Sequence, residues 1–308
     1  MLAANDEASW VNLDLFVSVP TAWTVSANGE QRGQSVESGQ KTVHFQAKQV
    51  PLSVELVAGR LQTHIESLSS LDGRQIPVKL SYLAGHGENV ERISQLIRQS
   101  FAEWEHRFGR CPSGFISVAE IPQFQTGGEP ERLTPVTASS GMVVMPERLG
   151  WLHDYKTQPA RDWLAFIVAQ EMARSWWGNR VAAREGPGSA LVDHGIPILL
   201  GLNMIEKLHG VKAADDYAGL LRDRLRKEMA RENGPALTIL TADFQEFANT
   251  QAALALYDQR RKIGPGTFDH SLEQTWRSLS SINGDRSPVS PDAIARPLGL
   301  VPAISLRK

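Results

Sequence analysis

The chain has 308 residues, 42% of them hydrophobic and 21% charged, which is material for about two domains or for one large domain with an appendage. Its 32 Lys and Arg against 34 Asp and Glu leave a net charge of -2, which excludes a strongly basic nucleic-acid binder. One cysteine, Cys111, excludes an intrachain disulfide framework and a cysteine-rich zinc or iron–sulfur cluster, and the longest apolar runs, at 164–169 and 196–200, are far shorter than the ~20 residues that span a bilayer.

Short alternating runs come first, at Trp10-Val11-Asn12-Leu13-Asp14-Leu15-Phe16-Val17, Trp23-Thr24-Val25, Thr42-Val43-His44-Phe45 and Leu52-Ser53-Val54-Glu55-Leu56-Val57. Pro20, Gly29, Gly33, Gly39 and Pro51 break them, a pattern that predicts antiparallel strands and turns over roughly the first 67 residues. A further strand is expected at Val78-Lys79-Leu80-Ser81-Tyr82. Apolar residues then recur at Val90, Ile93, Ile97, Phe101, Trp104 and Phe108, the stripe of a long amphipathic helix. Strands are expected again at Gly114-Phe115-Ile116-Ser117-Val118 and Met142-Val143-Val144-Met145, separated by a polar stretch over 123–140. Beyond these the pattern turns helical, over about 158–177, 189–209, 213–230, 244–263 and 269–279, and Pro288, Pro291, Pro297 and Pro302 leave only short helical pieces in the tail.

The opening Asn5, Asp6 and Glu7 lack the basic-then-apolar order of a secretory signal, so if the protein is exported or tethered, the responsible segment is expected outside this sequence. There is no Gly-x-Ser-x-Gly elbow, and nothing near Cys111 in the sequence would lower its pKa, so it is expected to be structural. The eight histidines form no short pair of the kind that binds metal.

The segment Gln170-Glu171-Met172-Ala173-Arg174-Ser175-Trp176-Trp177-Gly178-Asn179 stands out. It resembles the zinc-binding helix of the aminopeptidase N and leukotriene hydrolase family of gluzincin metallopeptidases, in which His-Glu-x-x-His is followed closely by Trp-Trp-Gly-Asn and, further on, by a Glu ligand. The resemblance puts Gln170 at the first His, Glu171 at the general base and Arg174 at the second His. Asp193 falls at the spacing of the Glu ligand, and aligning Leu191-Val192-Asp193-His194-Gly195 on its glycine puts His194 there instead. Val17-Ser18-Val19-Pro20 with Trp23-Thr24-Val25, and Leu56-Val57-Ala58-Gly59, are similar to the end of that family's β-saddle. Gly127-Gly128-Glu129-Pro130 weakly matches its substrate-amine loop, and Asn249, Thr250 and Gln251 stand where it carries an oxyanion-stabilising tyrosine.

The resemblance implies an α+β fold: an N-terminal antiparallel β-saddle remnant (1–68), a thermolysin-like α/β domain (69–234) and a helical C-terminal part (235–308). Residue chemistry changes the expected function. Catalytic zinc needs about three imidazole or carboxylate donors, whereas Gln170 offers a weak neutral oxygen and Arg174 is a cation with no lone pair to give. The expectation is a catalytically inactive, aminopeptidase-like module with no bound cofactor. Glu171 is then a vestigial general base, and Gln170, Arg174, Asp193 and His194 are vestigial ligand positions. Arg174 is expected to turn inward and pair with Glu171, Asp193 or both. The alternatives are an active zinc aminopeptidase using Asp193, His194 and Glu171, and a purely structural domain whose cleft its own side chains fill. The implied partners are a peptide or a membrane permease portion of the same polypeptide, which would make this chain the extramembrane part of a bacterial membrane protein.

Overall fold

Period-two alternation puts Val11, Leu13, Leu15, Val17 and Val19 on one face of the first strand, β1 (Trp10–Pro20). In the computed structural model, which describes residues 10–51, 54–122, 137–139, 141–148, 150–154, 162–183, 188–232, 246–282 and 288–300, six more strands follow. They are β2 (Thr24–Ala27), β3 (Glu30–Glu37), β4 (Gln40–Pro51), β5 (Leu56–Gly59), β6 (Leu61–Ser69) and β7 (Gln75–Leu83). β1, β4 and β3 form an antiparallel sheet in that order, and β2 pairs with β5 in a separate ribbon. Val19, Val25, Ala27, Val43 and Phe45 close a small core between them, with Leu15, Val17 and Ala58 against it.

β6 and β7 belong to a second, five-stranded sheet with β8 (Ile116–Ile121), β9 (Thr137–Ser139) and β10 (Met142–Pro146), ordered β6-β7-β8-β10-β9. β7, β8 and β10 run parallel, and β6 and β9 are antiparallel edges. The connection from β7 to β8 is α1 (Val90–Phe108), whose apolar stripe of Ile93, Leu96, Ile97, Phe101, Trp104 and Phe108 is buried. α2 (Trp163–Ala173) packs on α1, and the Trp104 indole donates to the carbonyl of Ala169 at 3.2 Å. Contacts divide the chain into two compact units between Ser175 and Trp176, and all the strands and both of these helices lie in the first.

The second unit is helical. A π-helical turn, Leu191–Gly195, runs into α3 (Ile196–His209), followed by α4 (Val211–Glu232), α5 (Glu246–Ile263), α6 (Pro265–Ile282) and the short α7 (Pro291–Ala295). Gly195 lets the π turn approach α5, since a Cβ there would lie 2.9 Å from the Cβ of Ala252. Arg260, buried on α5, ties the helices together through Glu206 on α3 at 2.7 Å and Asp269 on α6 at 3.0 Å. No helix among the described residues is long and apolar enough to cross a membrane.

Candidate functional site

Asp162 starts α2. Fully buried, it accepts the Ala165 N–H at 3.0 Å through one oxygen and Arg92 of α1 at 2.9 Å through the other, so the cap is also a tie between the helices. Leu164, Ala165, Phe166, Ile167, Val168 and Ala169 are all buried, as befits a helix apolar around its whole circumference. That places the last turn, with Gln170, Glu171 and then Arg174 at the C-cap, in low-dielectric surroundings.

Glu171 is 4% exposed. Its Oε1 accepts from the Gln170 amide at 2.8 Å, and its Oε2 lies 3.6 Å from Arg174 Nε, an ion-pair contact longer than a hydrogen bond. Burial pushes the Glu171 carboxyl above the usual carboxylate range, while Arg174 and the Gln170 amide pull it back toward the ionised form. The Arg174 side chain is 18% exposed, so it turns mostly inward and spans one helical turn to Glu171.

The other two residues singled out by sequence sit on the π turn of the second unit, and π turns of this kind often mark functional positions. Asp193 accepts the Ala183 N–H at 3.0 Å, and His194 is half-buried. Gly178, which closes the Trp-Trp-Gly sequence, holds a φ of 98° and backs onto the π turn; a Cβ there would come within 3.2 Å of the Asp193 carbonyl. Trp176 and Trp177 are fully buried, and Trp177 meets Trp276 at 5.1 Å between ring centroids. The stretch at 127–130 lies outside the described residues. Asn249 is on α5 with its side-chain oxygen buried and without a hydrogen bond. Cys111 is fully buried, which pushes its thiol up to about 12.

This donor set does not fit zinc. The Gln170 NH2 is committed to Glu171, leaving one neutral amide oxygen, and a guanidinium stands beside the carboxylate where a second imidazole would be needed. Among the described residues no group of three or more His, Cys, Asp or Glu is placed to hold a metal ion.

Two features escaped the sequence reading. Asp162, just ahead of an apolar run, carried a readable N-cap signal. Glu120, fully buried at the carboxyl end of β8, accepts the Leu83 N–H at 2.6 Å and pairs with His86; a lone acid within Val118-Ala119-Glu120-Ile121 was its only signal.

No family model and no curated protein sequence matches the chain. Solved structures do. The M1 zinc metallopeptidase from Deinococcus radiodurans superposes with a TM-score of 0.64 at 18% identity, over 96% of this chain and 61% of that one. Legionella pneumophila aminopeptidase A, solved in complex with aspartic acid, gives a TM-score of 0.67 at 16% identity, over 98% of this chain and 34% of that one. The chain is therefore α+β with the fold of M1 metallopeptidases, and it spans about three fifths of the length of the Deinococcus enzyme, 61%, and a third, 34%, of the Legionella one.

Proposed function

We propose that the chain is a catalytically inactive, aminopeptidase-like module that binds peptide, or positions a larger assembly, through the surface its active counterparts use for a peptide. The observation that carries this reading is the Arg174 guanidinium 3.6 Å from Glu171 at the end of α2. An arginine cannot ligate a divalent ion and repels one, so the carboxylate that would serve as base is matched to an organic cation instead. In this reading residues 1–68 are the remnant of a β-saddle, 69–234 a thermolysin-like domain and 235–308 the helical part. The setting that accommodates a non-catalytic module of this kind is the extramembrane portion of a bacterial permease polypeptide.

A zinc enzyme using Asp193, His194 and Glu171 is less well supported. The Asp193 carboxylate is engaged by the Ala183 N–H, and burial favours the protonated form of Glu171, which is a poor ligand. The test is hydrolysis of aminoacyl chromogenic substrates by the full chain and by Glu171→Gln. Equal rates at background are expected; zinc-dependent turnover that disappears in Glu171→Gln would overturn the proposal.

A further inference from the structure

Lys79, in β7, stands at a place the proposed function does not use. Its Nζ donates to the Val25 carbonyl of β2 at 2.7 Å, and among the described residues it has no ion pair. In register beside it on β8 is Ser117, 5% exposed, whose hydroxyl is buried without a hydrogen-bond partner. Cross-strand partners share a face of the sheet, so the two side chains leave it on the same side. On the other flank Lys79 pairs with Ile65 of β6, which is 69% exposed, leaving an open apolar border.

We propose that Lys79 is an acylation site: its amine, held by the Val25 carbonyl and flanked by the Ser117 hydroxyl and Ile65, takes a small acyl group from an acyl phosphate. The nitrogen lone pair attacks the acyl carbon, and the carbon–oxygen bond to phosphate breaks. Inorganic phosphate leaves with the bonding pair, and the proton lost from nitrogen passes to water. The product suits the site better than the free amine does. An amide keeps one N–H for the Val25 carbonyl, its new carbonyl gives the Ser117 hydroxyl an acceptor, and its alkyl end meets Ile65.

Charge argues the same way. Burial and the repulsion of Lys41 on β4 lower the Lys79 pKa to about 8. Of the other packed elements, β6 turns Thr63, Ile65 and Ser67 to this face and β8 turns Ser117 and Ala119, with His64, Glu66 and Glu120 on the opposite face; β2 brings Val25 and Ser26. Among the described residues named here as facing Lys79, only Lys41 is charged. Near pH 8 about half of Lys79 is the neutral nucleophile, against well under ~1% for an exposed lysine of pKa ~10.4.

The experiment treats the full chain with acetyl phosphate over a pH series and reads occupancy at each lysine by peptide mass spectrometry. Lys79 is expected to react several-fold faster than the exposed Lys48 and Lys262, with a rate reaching half its plateau near pH 8. Lys41→Gln removes the repelling charge and is expected to move that midpoint upward. Reaction at Lys79 no faster than at Lys48 and Lys262, or a midpoint indifferent to Lys41→Gln, would overturn the assignment.

Discussion

Trp104→Ala is expected to lower the unfolding free energy by about 3–5 kcal/mol, the range for truncating a fully buried indole. Trp104 is 1% exposed, meets the tilted Phe108 ring at 6.3 Å between centroids and lies under the Arg107 guanidinium at 5.9 Å. It also donates to the Ala169 carbonyl, the residue before Gln170. Alanine would therefore open a cavity between α1 and α2 and strip the Ala169 carbonyl of its side-chain donor where the candidate site begins. Trp104→Phe refills most of the cavity and loses chiefly the hydrogen bond, for an expected cost of about 1–2 kcal/mol. Urea denaturation of the three proteins measures both; a loss below about 1 kcal/mol in the alanine variant would mean that the α1–α2 contact is not what places the site.

Arg174→Ala is expected to cost about 3 kcal/mol near neutral pH, at the low end for breaking a buried ion pair, because Glu171 can escape by keeping its proton. The cost should depend on pH in a definite direction. Burial raises the Glu171 pKa above its ordinary 4.5, so the folded chain holds that proton more tightly than the unfolded chain does. Glu171 therefore contributes stability below the unfolded value that is lost as pH rises through the folded one. Arg174 offsets part of that loss by favouring the ionised form. Without it the decline is steeper, and the gap between wild type and Arg174→Ala should open as pH climbs from about 4.5 toward neutrality. Adding Glu171→Gln to Arg174→Ala should close most of the gap, since a neutral amide needs no cation. A gap that stays constant across pH would show that Arg174 acts by packing alone.

Where local pattern and final environment agree, the sequence is readable. The stripe from Val90 to Phe108 predicts α1, and it is amphipathic because one side meets the sheet and α2 while the other meets water. β3, with Glu30, Gln31, Arg32, Gly33 and Gln34, offers no apolar alternation, because it is an edge strand exposed almost throughout, and it is held in place by pairing with β4. Leu52 to Val57 reads as one strand, yet residues 54 and 55 carry no strand pairing and β5 begins at Leu56. The helix expected to reach Trp177 stops at Ala173, and the chain turns through residues 174–176 toward the positive φ of Gly178.

The candidate site divides in the same way. Gln170 and Glu171 can be placed near Arg174 from spacing alone, because they precede it by four and three residues at the end of one helix. Arg174 lies 3.6 Å from Glu171, one helical turn away, with 18% of its side chain exposed. The bond from the Ala183 N–H to Asp193 could not be anticipated, because it depends on how the loop after Gly178 folds back onto the π turn.

The most direct test of a vestigial metal site is the zinc content of the full chain purified without chelator, measured by elemental analysis and followed by calorimetric titration with zinc. The account predicts far less than one zinc per chain and no tight binding at Gln170, Glu171 and Arg174, with Arg174→His alone leaving that unchanged because it restores only one imidazole. One zinc per chain, lost on Glu171→Gln or on substitution of Asp193 and His194, would contradict it.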